Sequence, residues 1–154
     1  MTLLQNGRHY FDWNASSILC ENSRKSLISN LDLIGNASSV HFEGREARNI
    51  IERSRDDVMD LLGLDMGTII FTSGASESAA LFLHNKRLEC SAIEHDCVKR
   101  WCDVSIPVKK NGLVSSFTSK NNQTLQIANS ETGILQNIPK DIACTDAVQA
   151  IGKI

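Results

Sequence analysis

A chain of 154 residues can bury one core, and 42% hydrophobic with 22% charged residues is a globular balance rather than a disordered one. A net charge of −2 with both signs interleaved gives no electrostatic footprint for nucleic acid or for a membrane surface. No stretch approaches the roughly 20 apolar residues needed to cross a bilayer.

Residues 1–14, with Arg8, His9 and Asp12, hold no apolar run of signal-peptide length. The five cysteines (Cys20, Cys90, Cys97, Cys102 and Cys144) contain no CxxC pair. The expectation is reduced thiols in a cytoplasmic protein. His95, Cys97 and Cys102 fit no common structural zinc spacing, so no metal is expected.

In chain order, residues 1–40 read as irregular and polar. Turns at Asn14-Ala15-Ser16-Ser17 and Gly35-Asn36-Ala37-Ser38-Ser39 flank a short helix. From His41 to Leu62, the residues Ala47, Ile50, Ile51, Val58, Leu61 and Leu62 recur at helical spacing, and Gly63 supplies the stop. Short strands and helices then alternate: a strand at Thr68–Phe71, a helix at Glu77–Leu83, a strand at Leu88–Ile93, a helix at Asp96–Cys102 and a strand at Asp103–Val108. A turn at Asn111-Gly112 follows, then strands at Thr124–Ala128 and Ile142–Thr145. No internal linker interrupts residues 1–154, so they read as a single partial domain, with an irregular segment at 1–40 and an α/β core at 41–154. The fold class is α/β, a mostly parallel sheet with flanking helices. Such sheets bind ligands beyond the C-terminal ends of their strands.

Four strand ends carry residues suited to a ligand. Thr72-Ser73-Gly74-Ala75-Ser76-Glu77 opens a helix and suits a phosphate, which backbone N–H groups and the helix dipole favour; it equally suits a plain serine-capped turn. His95, in Ile93-Glu94-His95-Asp96, can stack on an aromatic cofactor or move a proton; it can also be a plain surface or capping residue. Asn129-Ser130-Glu131-Thr132-Gly133 can hydrogen-bond a ligand or satisfy its own backbone. Asp146 can meet a protonated pyridine nitrogen or cap the helix that Ala147 begins.

The sequence resembles the cysteine desulfurases, members of the class V aminotransferase group with the type I pyridoxal-phosphate fold. Tyr10-Phe11-Asp12-Trp13-Asn14-Ala15-Ser16-Ser17 is similar to that family's Y-L-D-x-N-A-T-T. The run from Gly35 to His41, continuing to Gly44-Arg45-Glu46-Ala47, is similar to G-N-P-S-S-x-H-x-x-G-R-x-A. Ile70 to Ser78 is close to I-F-T-S-G-A-T-E-S. Glu94-His95, Asn129 to Gly133 and Asp146-Ala147-Val148-Gln149 follow in the family's order.

The resemblance implies pyridoxal 5'-phosphate as cofactor and cysteine as substrate. It implies that Ala75 and Ser76 hold the phosphate, that His95 lies over the pyridine ring and assists proton transfer, and that Asp146 pairs with the ring nitrogen. Gln149 would donate to the ring hydroxyl oxygen. Ser130 stands where the family has an asparagine contacting the ring. The connections Leu83–Leu88 and Val114–Thr124 are shorter than the family's, which implies trimmed helices.

The family's Schiff-base lysine follows a histidine well beyond the Asp-x-x-Gln segment, and its persulfide-forming cysteine lies further on. No lysine of this sequence directly follows a histidine. The expectation is an N-terminal portion that is inactive alone. The alternatives are half of a split or longer active desulfurase, or a non-enzymatic module that binds a full-length paralogue. Dimer formation is implied by the family.

Overall fold

In the computed structural model, which describes residues 3–4, 7–115 and 120–154, the Val114–Thr124 connection falls partly outside the described residues. The chain divides into two compact units, one of Met1–Ala15 with Thr72–Ile154 and the other of Ser16–Phe71.

The Ser16–Phe71 unit is helical. Helix α1 (Glu21–Asn30) starts at Cys20, whose thiol accepts the Ser23 N–H at 3.4 Å. Helix α2 (Phe42–Leu61) follows the apolar spacing read from the sequence, with His41 as its N-cap and the His41 Nδ1 accepting the Gly44 N–H at 3.3 Å. Gly63, at φ +61°, ends it in the left-handed conformation that glycine reaches without strain. The loop before α2 lies against its first turn, backbone on backbone. A Cβ on Gly35 would strike the Glu43 carbonyl oxygen, and one on Gly44 would strike that of Ser39.

The expected strand at Thr68–Phe71 does not form. Ile-Ile-Phe has high β propensity, but a strand is stabilised by its neighbours, and no described strand pairs with this segment. Arg55 takes it instead: its guanidinium donates to the Ile69 carbonyl and lies 5.3 Å from the Phe71 ring centroid.

In the other unit, β1 (Leu3–Leu4) and β2 (Arg8–His9) make a small antiparallel ribbon. Then come α3 (Ala75–Leu83), β3 (Glu89–Ser91), α4 (Asp96–Lys99), β4 (Asp103–Ile106), β5 (Thr124–Gln126) and β6 (Cys144–Asp146). Strands β3 and β4 pair in parallel with Glu89 opposite Asp103, and β5 and β6 pair in parallel with Thr124 opposite Cys144. A parallel bridge between Glu89 and Gln123 joins the two pairs. The α/β class and parallel pairing follow the alternation in the sequence, although each strand is shorter than its apolar run, and β6 extends one residue further, to Asp146.

Leu83, Leu88, Cys90 and Val98 form the core here, with Ala79, Trp101 and Cys144 packed against them. Burying each large apolar side chain contributes on the order of 1.5–3 kcal/mol. The α3–β3 connection is tight: Asn85 and Arg87 turn at φ 62° and 53°, a conformation asparagine tolerates and arginine rarely takes. Among the described residues no helix is long and apolar enough to cross a membrane.

Candidate functional site

Because β3, β5 and β6 are parallel, the segments following them emerge on one edge. There Ile93–His95, Ala128–Ser130 and Val148–Gln149 meet the N-terminus of α3 and the Asn14-Ala15 turn. A cavity of about 370 Å³ lies between, lined by Asn14, Ala75, Ser76, His95, Cys97, Gln126, Ser130, Asp146 and Gln149 among others. The six residues to which the resemblance assigns contacts (Ala75, Ser76, His95, Ser130, Asp146 and Gln149) all line it, whereas Thr72, Ser73, Gly74, Glu77, Asn129, Thr132 and Gly133 do not.

The α3 N-terminus opens without a side-chain cap, its N-cap being Gly74. The N–H groups of Glu77 and Ser78 return to the Gly74 carbonyl at 3.1 Å each. Those of Ala75 and Ser76 have no intrahelical acceptor, which is the arrangement that binds anions at helix starts. Ser73 is not the cap. Its N–H and hydroxyl both donate to the Glu77 carboxylate at 2.6 Å, which holds that carboxyl below its usual range.

His95 is both a capping residue and a wall residue. Its Nδ1 accepts the Cys97 N–H at 3.2 Å at the start of α4. Asp146 lines the cavity and its Oδ1 accepts the Val148 N–H at 2.9 Å, but the helix expected from Ala147 does not form: residues 148–153 are turns. Gln149 donates Nε2 to the Asn14 carbonyl at 2.9 Å and accepts from Lys153 Nζ at 2.6 Å, so the C-terminal turn is fastened to the 13–15 segment. Asn14 in turn donates to the Ser130 carbonyl at 3.0 Å.

The Asn129–Gly133 loop satisfies its own backbone. Asn129 Oδ1 accepts from the N–H groups of Glu131 and Thr132 and from the Thr132 hydroxyl, at 3.1, 2.9 and 2.9 Å. The Asn129 amide donates to the Ile93 carbonyl at 3.0 Å, tying this loop to the His95 segment.

Sequence reasoning did not single out Asn14, Cys97, Gln126 or Glu94 as site residues. Glu94 is 2% exposed, with Oε1 accepting the Gln126 N–H at 2.8 Å and Oε2 without a partner. Burial pushes its carboxyl up to about 7, and the nearby Asp146 charge adds to that. Burial also raises the thiols of Cys90, to about 12, and Cys102, to about 11. All five cysteines are free, and no group of three or more His, Cys, Asp or Glu among the described residues is placed to hold a metal ion.

The family model described as aminotransferase class-V matches residues 9–138. The chain is 31% identical to the putative cysteine desulfurase NifS of Bacillus subtilis, over 94% of this chain and 46% of that protein. It is 34% identical to the cysteine desulfurase IscS of Rickettsia prowazekii, over 76% of this chain and 37% of that one. The X-ray structure of a NifS-like protein from Rickettsia africae superposes with a TM-score of 0.78 at 28% identity, covering 92% of this chain and 48% of that one. The chain thus spans less than half the length of these relatives. With a family model matched along most of its length and a fold shared with a NifS-like protein, the chain belongs to the class V aminotransferases.

Proposed function

We propose that residues 1–154 form the coenzyme-binding portion of a cysteine desulfurase-like enzyme and take pyridoxal 5'-phosphate into the cavity beyond the strand ends. The observation that carries this reading is convergence. Residues distant in sequence, Ala75 and Ser76, His95, Ser130, Asp146 and Gln149, surround one space.

The donor set suits the group. An uncapped helix start and a serine hydroxyl match a phosphate, an imidazole matches an aromatic face, and a carboxylate matches a protonated ring nitrogen. In this reading Ala75 and Ser76 hold the phosphate through backbone N–H groups and the Ser76 hydroxyl. Asp146 keeps a proton on the ring nitrogen. Gln149, whose amide has a second N–H beyond the one given to Asn14, donates to a ring oxygen. Ser130 offers a hydroxyl to the ring, and His95 covers its face and handles a proton at the substrate. The coenzyme, when bound, supplies an electron-withdrawing ring that stabilises negative charge on a substrate carbon.

The substrate in this reading is cysteine, converted to alanine with its sulfur passed onward. The amine that anchors the coenzyme and the thiol that receives the sulfur come from sequence other than residues 1–154, so this segment binds without turnover. The same reading makes the segment one part of a transferase-type domain in a cytoplasmic protein, as a homodimer or paired with a full-length relative. The test is a spectroscopic titration of the chain with pyridoxal 5'-phosphate. Saturable binding, competed by inorganic phosphate and weakened about tenfold or more in Asp146→Ala, supports the proposal. Uptake that neither saturates nor yields to phosphate contradicts it, and sustained alanine production from cysteine by this chain alone contradicts its second half.

A further inference from the structure

We propose that Cys97 is a positioning residue: its thiol and backbone N–H together hold His95 in the tautomer with Nδ1 bare and Nε2 protonated, so that the cavity meets a ring N–H donor rather than an acceptor. The relation of the two nitrogens decides this. The Cys97 N–H points at His95 Nδ1 from 3.2 Å, and a backbone N–H can only donate. That donor favours a bare Nδ1. The Cys97 sulfur lies 3.0 Å from the same nitrogen. A neutral thiol in that place can serve as a second donor to a bare Nδ1, and burial together with the Asp146 charge favours the protonated thiol by raising Cys97 above its ordinary range. The other tautomer would set an Nδ1–H against the Cys97 backbone N–H and leave the sulfur only as a weak acceptor.

In a neutral ring with Nδ1 bare, the proton sits on Nε2. Nδ1 is occupied by residue 97, so Nε2 is the nitrogen left for a ligand in the cavity that both His95 and Cys97 line. An alanine at position 97 would retain the backbone donor and lose the thiol. A serine would retain a hydroxyl in place of the thiol. What the ring N–H meets in the cavity rests on the proposed function. The tautomer does not.

The experiment is NMR of the imidazole nitrogens in histidine-labelled chain without coenzyme, at a pH where the ring is neutral. The wild type is expected to show His95 as a single form, protonated at Nε2. An Nδ1-protonated ring, or an even mixture, would overturn the inference even if no variant folds. Cys97→Ala is expected to lose the single-form spectrum and gain a detectable Nδ1–H population, and Cys97→Ser is expected to restore the wild-type pattern. An unchanged tautomer in Cys97→Ala would remove the thiol from the account. A failed coenzyme titration would defeat the proposed function and leave this result standing.

Discussion

Glu94 and Gln126 are locked together below the cavity. The buried carboxylate accepts the Gln126 backbone N–H at 2.8 Å, and the Gln126 side-chain amide donates to the Ile93 carbonyl at 2.8 Å. The segment bearing His95 is thereby fastened to the end of β5. The cost is a carboxyl whose second oxygen has no partner and whose ionisation is resisted by burial.

That cost sets a pH dependence. The Glu94 carboxyl is raised from 4.5 to about 7 in the folded chain, so between those values the folded state binds more protons than the unfolded one. The contribution to stability is fully present below about 4.5 and is lost as pH rises through about 7, by roughly 3 kcal/mol. Glu94→Gln cannot ionise. Urea unfolding across this range should show a falling stability in the wild type and a flatter line in the variant. Parallel lines would contradict the burial account.

At the start of α3, Ser76→Asp should separate helix stability from anion binding. A carboxylate in the first turn favours the helix by roughly 0.5 kcal/mol. The same charge on the cavity wall repels a phosphate and should weaken coenzyme binding by more than about tenfold. Calorimetric unfolding and the coenzyme titration read the two effects. Unchanged affinity would place the phosphate elsewhere.

Gln136 fastens the turn around Gly112. Its Oε1 accepts the Val114 N–H at 3.0 Å and its Nε2 donates to the Gly112 carbonyl at 2.8 Å, with the residue 8% exposed. Gln136→Ala leaves both backbone groups without these partners and should cost about 2 kcal/mol in denaturant unfolding. A loss too small to measure would mean that water replaces the amide freely.

Two glycines predict opposite outcomes. Gly44→Ala drives a methyl into the Ser39 carbonyl oxygen and should destabilise by about 1–3 kcal/mol. At Gly74 a Cβ meets nothing within 4 Å and the backbone is extended at φ 165°, so Gly74→Ala should stay within about 0.5 kcal/mol of wild type. Thermal unfolding of the pair checks the close approach before α2. Equal effects would refute it.

The elements most legible in the sequence were those whose cause is local. The apolar spacing from Ala47 to Leu61 and the stop at Gly63 gave α2 nearly to the residue. Alternation of short apolar runs with helical pieces gave the parallel pairing. Thr68–Phe71 failed because strand formation depends on a neighbour, and Arg55, distant in sequence, claims that backbone instead. The wall residues carried by short motifs were visible as candidates. Glu94 was not visible as a support, because its partner Gln126 lies on β5, 32 residues away. Cys97 looked like one more thiol until its sulfur was placed beside a specific ring nitrogen.

Residues far apart in sequence, from Ala75 to Gln149, are proposed to make one coenzyme site. This proposal is tested most directly by backbone amide NMR during titration with 4-deoxypyridoxine 5'-phosphate, which keeps the ring and phosphate but has no aldehyde to react with surface lysines. Saturating shifts concentrated at Ala75, Ser76, His95, Ser130 and the Asp146–Gln149 turn are expected. Shifts scattered over the surface, or confined to the Ser16–Phe71 unit, would contradict it.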